Sequence, residues 1–187
     1  LSYLEIYNEQ IFDLLPSDCA ARLVPLKITG ASVVAGLSKH PVVNVQAGLD
    51  LVKLAKTKRH TSCNNLNNKS SRSHSICQLD LVTATKSKTF WIVDLAGSER
   101  SKRTGIVNST RQREATLINA SLMKLMRCLL PDGDVIPFRE SKLTHLIMHH
   151  LVSGGTTSMM VNINPAAADF DETQHVLAYA SAAKTVD

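Results

Sequence analysis

One stretch of the sequence decides the fold class: residues 89–99 are TFWIVDLAGSE. Its first five residues form a short apolar run rich in aromatic and β-branched side chains, which is typical of a buried sheet strand. The run ends on Asp94, and Gly97 follows three positions later. Because ligands bind at the carboxyl ends of strands in open α/β sheets, this pattern indicates a nucleotide site. By itself it also fits a simpler structure, in which Asp94 caps a turn and Gly97 supplies a positive φ.

A polar stretch lies upstream of it: residues 67–74 are NNKSSRSH. Its hydroxyl groups can ligate Mg²⁺ or donate to phosphate oxygens, and Arg72 can pair with a phosphate or a carboxylate. Serine clusters are also common in plain surface loops, and composition alone favours that alternative. The occurrence of both stretches in one chain is stronger support for a phosphate site than either stretch alone.

The remaining pattern predicts strands that alternate with helices. We expect a short helical turn at residues 8–15, which Pro16 would stop, and a loop-rich segment at residues 17–45. Strands are predicted at residues 2–7, 33–37, 75–83, 89–93 and 159–163, and helices at residues 47–60, 113–129, 141–151 and 171–184. This alternation predicts a layered α/β domain, and 187 residues suit one domain.

The composition excludes several classes of protein. With 44% hydrophobic and 20% charged residues the chain can bury a core, which excludes disorder and a coiled coil. No apolar run reaches the roughly 18 residues of a membrane span, and the first residues lack signal-peptide features, so we expect no membrane partner. The net charge of +5 favours an acidic partner, while 4% aromatic residues give little support for base stacking, so we expect no nucleic acid. Four scattered cysteines suit reduced thiols in the cytoplasm.

The two polar stretches resemble the switch I and switch II motifs of the kinesin motor domain, at residues 67–74 and 94–99, in the order and spacing of that family. The resemblance implies a three-layer α/β motor fold related to the P-loop NTPases, with a mostly parallel or mixed central sheet flanked by helices. Residues 1–187 would be the C-terminal portion of one motor domain, up to the start of the neck linker. The resemblance extends over essentially the whole chain, through SYLEIYNE at 2–9, INASL at 118–122, IPFRESKLT at 136–144, DET at 171–173 and AKTV at 183–186.

By this resemblance the site would bind ATP and Mg²⁺. Ser71 would ligate the metal, with Ser70 beside it in the shell of the γ-phosphate, and Asp94 would hold the ion through water. The backbone amide of Gly97 would sense the γ-phosphate. Phosphoryl transfer depends on positioning and charge neutralisation, which these groups can supply.

Four further residues complete the implied catalytic set. Arg72 and Glu99 match the pair that forms a salt bridge between the two switches when ATP is bound, and this bridge would position the attacking water. Asn67 and Asn119 match polar residues near the closed site. Loss of one partner of a buried ion pair costs roughly 3 to 5 kcal/mol, so the Arg72–Glu99 bridge would be sensitive to substitution.

The resemblance also gives the positive charge a partner, the acidic face of the microtubule. The region from about residue 100 to residue 151 would contact the filament. Arg100, Lys102 and Arg103 lie in the matching basic loop, and Arg139 and Lys142 match residues that face tubulin. Without the family context, a solvated run of charges would be the preferred interpretation.

Some positions depart from the family pattern. Ala120 and Met126 stand where many kinesins have a polar residue and a glycine, and His145 stands where an arginine is frequent, which would weaken the filament contact. Residues 121–128 and 141–145 look most like the central-spindle, kinesin-6-like branch of cytokinesis. His145 and His149 have the spacing of a metal pair, but the glutamate of H-E-x-x-H and a third ligand are missing, which disfavours a metal site.

The phosphate-binding loop of the family, G-x-x-x-x-G-K-[ST], does not occur in the sequence. In kinesins this loop and the first sheet strands lie upstream of a segment like residues 2–9. The resemblance therefore implies that the chain alone binds ATP poorly or not at all. The parent protein would be a microtubule-stimulated ATPase in the cytoplasm, on microtubules or the mitotic spindle, and a dimer of it would form through segments outside these residues.

Two other functions stay open at this stage. A non-catalytic, kinesin-derived microtubule-binding module would need no phosphate loop, but it would have no evident use for Ser70, Ser71, Arg72, Asp94 and Glu99. A generic nucleotide-binding switch protein would leave residues 139–144 unexplained. Co-sedimentation with microtubules that ignores nucleotide would favour the module.

Overall fold

A computed structural model describes residues 1–17, 24–30, 32–61, 69–97, 109–130, 136–152 and 156–183. The chain divides into two compact units, Leu1–Ala96 and Gly97–Asp187. The first unit contains strands β1 (Ser2–Tyr7), β2 (Gln10–Asp13), β3 (Lys27–Thr29), β4 (Val33–Ala35), β5 (His74–Val82) and β6 (Ser87–Asp94), with helix α1 (Val45–Thr61). The second contains helices α2 (Ser109–Leu129), α3 (Lys142–Val152) and α4 (Phe170–Ala183).

The main sheet of the first unit has the strand order β2-β1-β5-β6, and every ladder in it is antiparallel. The expected combination of helices and sheet is confirmed. A mostly parallel sheet is not found among the described strands, because β1–β2 and β5–β6 are hairpins and a short connection reverses the chain. The second connection is a turn in which the Thr83 amide donates to the Lys86 carbonyl at 2.8 Å.

The helical turn predicted for residues 8–15 is wrong. Asn8 and Glu9 adopt positive φ values of 50° and 57°, and they join β1 to β2 as a two-residue hairpin in which Tyr7 pairs with Gln10. Two successive left-handed residues match the right-handed twist of paired strands, which a helical turn would not do. Asp13 ends the hairpin, where its carboxylate accepts hydrogen bonds from the amides of Leu15 and Ser38 at 2.8 Å.

Helix α1 packs against the main sheet through an apolar cluster. Ala55 of α1 is buried with Tyr3, Leu14 and Cys77, and Leu51 packs against the same cluster. The helix begins at an N-cap, since the Asn44 side chain accepts a hydrogen bond from the Ala47 amide at 2.8 Å. The helix thus has a fixed start and a fixed buried face, which determine where its last turn lies on the sheet.

The second unit is helical in its described part. Helix α2 packs against α3, α4 and a short 3-10 helix, Phe138–Glu140, and buries Leu122 and Leu125. Ser141 caps α3 reciprocally with Thr144: the Ser141 hydroxyl accepts from the Thr144 amide at 3.1 Å, and the Thr144 hydroxyl accepts from the Ser141 amide at 3.3 Å. No helix in the described ranges is long and apolar enough to cross a membrane.

The strand predicted at residues 159–163 is also wrong. Residues 156–166 form no ladder with any described strand, and Met160 is 93% exposed. An apolar run becomes a strand only where a neighbouring strand accepts its backbone hydrogen bonds. An apolar sequence alone is therefore not sufficient to make this segment a strand.

Substitution of Leu14 tests the core of the first unit. Leu14 is fully buried, so Leu14→Ala should lower the free energy of unfolding by about 2 to 5 kcal/mol through lost burial and a residual cavity. Leu81 is 68% exposed, and Leu81→Ala should change the free energy of unfolding by about 0.5 kcal/mol or less. Urea unfolding monitored by circular dichroism measures both, and equal effects would contradict the assigned core.

Candidate functional site

The centre of the site is the guanidinium of Arg59, in the last turn of α1. Arg59 is only 5% exposed. Its Nε donates to the Ser73 hydroxyl at 3.2 Å, and its Nη2 donates to the Ser73 carbonyl at 2.8 Å. Its Nη1 donates to the Ser75 hydroxyl at 3.1 Å and to Asp94 Oδ2 at 2.7 Å. One side chain therefore links the end of residues 67–74 to the start of residues 94–99.

A second carboxylate lies on the other side of this arginine. Glu5 of β1 is 1% exposed, and its Oε1 lies 3.8 Å from Arg59 Nε. This oxygen accepts no hydrogen bond from the described groups. A buried carboxylate is tolerated only beside a positive charge, so Glu5 and Arg59 each compensate for the burial of the other.

The sequence reasoning missed Arg59, although the pattern of α1 contains a signal for it. Leu51, Ala55 and Arg59 follow one another at intervals of four, which places the arginine on the buried stripe of the helix. An arginine in such a stripe needs acidic or polar partners in the adjacent sheet.

His74 makes a second link between the two polar stretches, residues 67–74 and 94–99. It is the first residue of β5 and 3% exposed, and its Nδ1 accepts a hydrogen bond from the Ala96 amide at 3.0 Å. Burial, assisted by the positive charge of Arg59 and opposed by Asp94, lowers the pKa of His74 to about 4. The ring is therefore neutral at pH 7, and only a neutral ring can accept this hydrogen bond on Nδ1.

Several predicted site residues lie on these same elements. Ser71 and Arg72 belong to a 3-10 helix, Lys69–Arg72, and are half-buried. The backbone of Ser70 lies in this helix too, while its side chain is outside the described groups. Asp94 is the last residue of β6, and its side chain is 65% exposed. The structure thus brings the predicted metal-binding carboxylate to the residues that follow Ser71 and Arg72.

The other predicted site residues are not brought to this cluster by any described contact. Gly97 and Asn119 belong to the second unit, where both are half-buried, Asn119 within α2. Five lie outside the described residues: Asn67, Glu99, Arg100, Lys102 and Arg103. The Arg72–Glu99 bridge therefore stays a prediction.

Two predicted filament-facing residues are described: Arg139 lies in the short 3-10 helix Phe138–Glu140, and Lys142 is the first residue of α3. Arg139 is exposed, and its guanidinium carbon lies 5.6 Å from the centre of the Phe138 ring. Glu140 is held on α2, because its carboxylate accepts from Arg127 at 3.0 Å and its carbonyl accepts from Lys124 at 2.7 Å. These bonds fix the short helix Phe138–Glu140 and so direct Arg139 outward.

The donor set fits Mg²⁺, and no other metal site is evident. A serine hydroxyl and a largely exposed carboxylate are the oxygen donors that Mg²⁺ prefers, and exposure leaves room for the waters this ion retains. Within the described ranges no group of three or more histidine, cysteine, aspartate or glutamate residues could hold a metal. The pair His145 and His149 therefore has no described third ligand.

Acid titration tests the role of His74. A folded pKa of about 4 lies below the ordinary 6.5, so the stabilisation is complete above pH 6.5 and is lost as pH falls toward 4. The loss should be about 3 kcal/mol of unfolding free energy. His74→Asn keeps an acceptor for the Ala96 amide and does not titrate, so its unfolding free energy should fall less over this range. Val82→Ala changes an exposed residue of the same strand that does not titrate, and it should retain the wild-type slope. Equal slopes in all three proteins would contradict the assignment.

Known proteins with similar sequences identify the family of this chain. The model of the kinesin motor domain matches residues 1–186. The chain is 41% identical over 204 aligned positions to the kinesin-like protein KIP3 of Saccharomyces cerevisiae, and the match covers 100% of this chain and 25% of KIP3. It is 33% identical to the kinesin-like protein KIF7 of Homo sapiens, with 100% of this chain and 15% of that protein covered. The chain thus spans a quarter or less of these relatives.

Solved structures agree with the sequence relatives. A structure described as kinesin 6 superposes with a TM-score of 0.79 at 31% identity, covering 95% of this chain and 53% of the other. The motor and motor homology domain of Kar3Vik1, fused to a synthetic coiled coil, gives a TM-score of 0.78 at 32% identity, with 97% and 50% covered. The predicted kinesin-6-like branch is not confirmed, because the kinesin 6 structure and the Kar3Vik1 structure match this chain about equally well, with TM-scores of 0.79 and 0.78 and identities of 31% and 32%. The chain belongs to the kinesin motor-domain family.

Proposed function

We propose that the protein containing this chain is an ATP-hydrolysing motor that acts on microtubules. The chain contributes both switch segments and part of the filament surface. The observation that carries the proposal is the double link between the switches: Arg59 joins Ser73 to Asp94, and His74 joins β5 to the Ala96 amide. A site that must respond to one phosphate group needs two segments that are held together next to it.

The chemistry at this site would be phosphoryl transfer to water. Mg²⁺, when bound, neutralises phosphate charge, and Ser71 and Asp94 are the residues that would hold it, Asp94 through water. The hydroxyl of Ser70 and the amide of Gly97 would bind the γ-phosphate. Arg59 would keep the Asp94 carboxylate in place.

The remaining catalytic residues would act on the attacking water. Arg72 and Glu99 would close the site through their salt bridge and orient that water. Asn67 and Asn119 would contribute polar contacts near it. Because positioning accounts for most of the rate enhancement in phosphoryl transfer, this bridge would matter more for turnover than for binding.

The motor would bind the acidic surface of microtubules. Arg139 and Lys142 would contact tubulin, together with the basic loop that contains Arg100, Lys102 and Arg103. The protein would then act in the cytoplasm on the microtubule cytoskeleton, and the mitotic spindle is one microtubule assembly on which it would do so. The parent would dimerise through segments outside these residues and would need neither nucleic acid nor membrane.

A non-catalytic microtubule-binding module is the second candidate. The observation that favours it is the absence of a G-x-x-x-x-G-K-[ST] sequence from the 187 residues. For the same reason we propose that the chain alone binds ATP weakly. Microtubule co-sedimentation of the parent protein separates the candidates, since a motor changes affinity between ATP analogues and ADP, whereas a module does not.

Charge reversal tests the filament surface. Arg139→Glu and Lys142→Glu should each weaken co-sedimentation of the chain with microtubules about tenfold or more, because each replaces an attraction to acidic tubulin by a repulsion. Lys88→Glu is the matched control, since Lys88 is exposed on β6 of the first unit. If all three variants bind like the wild type, the surface is misassigned.

Removal of the switch bridge tests the catalytic assignment. In the parent protein, Arg72→Ala or Glu99→Ala should lower microtubule-stimulated ATP hydrolysis about 100-fold or more, because the attacking water loses its positioning. Filament binding without nucleotide should persist. Lys88→Ala serves as the control with normal turnover. Normal ATP hydrolysis in both switch variants would exclude the proposed roles.

A further inference from the structure

The outward side of α3 consists of one lysine and two histidines. Lys142, His145 and His149 lie at positions i, i+3 and i+7, which form one line along a helix. Elsewhere on the helix Leu143, Thr144 and Leu146 are fully buried and Met148 is 4% exposed, while Ile147, His150 and Leu151 are half-buried, as are Lys142 and His145. The eleven residues of α3 include no aspartate or glutamate. We call Lys142, His145 and His149 the cationic stripe.

The charge of the cationic stripe depends on pH in the physiological range. With neutral histidines it carries one positive charge, from Lys142, and with both histidines protonated it carries three. Histidine is the side chain whose ordinary pKa permits this change between pH 5 and 8. Arginine, which is frequent in kinesins at the position of His145, would hold its charge fixed.

The surroundings of His145 disfavour its protonated form in the isolated protein. Its ring lies 5.9 Å from that of Phe138, and burial, with the positive charges of Arg139 and Lys142, lowers its pKa. The charged groups on the described elements packed against α3 are Arg139 and Glu140 of the short helix and Lys124 and Arg127 of α2, and both α2 cations are bonded to Glu140. On α3 itself, the ring of His150 lies 5.6 Å from that of His149, and burial, with the nearby His149, lowers the pKa of His150. No described carboxylate on α3 itself favours the protonated ring.

An acidic surface placed against the stripe would bring further negative charge close to it. It would favour protonation of His145 and His149, and by linkage protons would then favour binding. We propose that the cationic stripe makes microtubule binding by this protein proton-linked, so that the protein binds more tightly as pH falls from about 7.4 to about 6.2. This inference rests on the proposed function, because the acidic partner is the microtubule.

Co-sedimentation with stabilised microtubules at about pH 7.4 and pH 6.2, at constant ionic strength, tests the inference. For each protein, the dissociation constant at the higher pH is divided by that at the lower pH. This ratio should be about three to ten times larger for the wild type than for the double variant His145→Gln, His149→Gln. The double variant His145→Arg, His149→Arg should bind at pH 7.4 at least as tightly as the wild type at pH 6.2, with a smaller response to pH. Any titration of tubulin itself affects all samples equally, so it does not contribute to the difference between the wild type and its variants.

His175→Gln, in α4 outside the stripe, is the control and should keep the wild-type ratio of the two dissociation constants. Circular dichroism of each variant verifies that α3 is retained. If the wild type and both double variants bind with the same pH ratio, the inference is overturned while the microtubule proposal stands. Absence of binding at either pH would overturn both.

Discussion

The rest of the candidate site depends on one buried positive charge, the guanidinium of Arg59. A charge taken out of water must be compensated by several partners, and this one has Glu5 and Asp94 as carboxylates and Ser73 and Ser75 as hydrogen-bond acceptors. These partners come from β1, β5, β6 and the turn before β5. The protein groups that replace water around this one side chain therefore require that helix α1 and three strands meet at one point.

His74 lies on the same elements as the partners of Arg59 and adds a second link between them, a hydrogen bond. Burial and the charge of Arg59 keep the ring neutral, and a neutral ring accepts the Ala96 amide. The chain is thus held on both sides of Leu95, by the Asp94 carboxylate before it and the Ala96 amide after it. The two bonds measure 2.7 Å and 3.0 Å, and they link this segment to Arg59 and to His74, the first residue of β5.

Local pattern predicted the helices and the strands β1, β4, β5 and β6, and the motifs around Ser71 and Asp94 pointed to the segments that Arg59 and His74 link. The reversal at Asn8 and Glu9 was missed, since positive φ at a glutamate has no strong signature in sequence. Residues 159–163 have the composition of a strand, but strand formation also needs a partner edge. Arg59 was missed because its role depends on Glu5 and Asp94, which are distant in sequence and near only after folding.

A double-mutant cycle on Arg59 and Asp94 tests the central claim most directly. Urea unfolding of the wild type, Arg59→Gln, Asp94→Asn and the double variant gives the coupling free energy of the two side chains. We predict a coupling of about 1 to 3 kcal/mol, because each single substitution already breaks the charge-assisted hydrogen bond of 2.7 Å to the buried guanidinium, and the double variant cannot lose it a second time. The exposed pair Lys39 and Asp80, 3.3 Å apart, should give about 0.5 kcal/mol. A coupling for Arg59 and Asp94 no larger than for this surface pair would contradict the account.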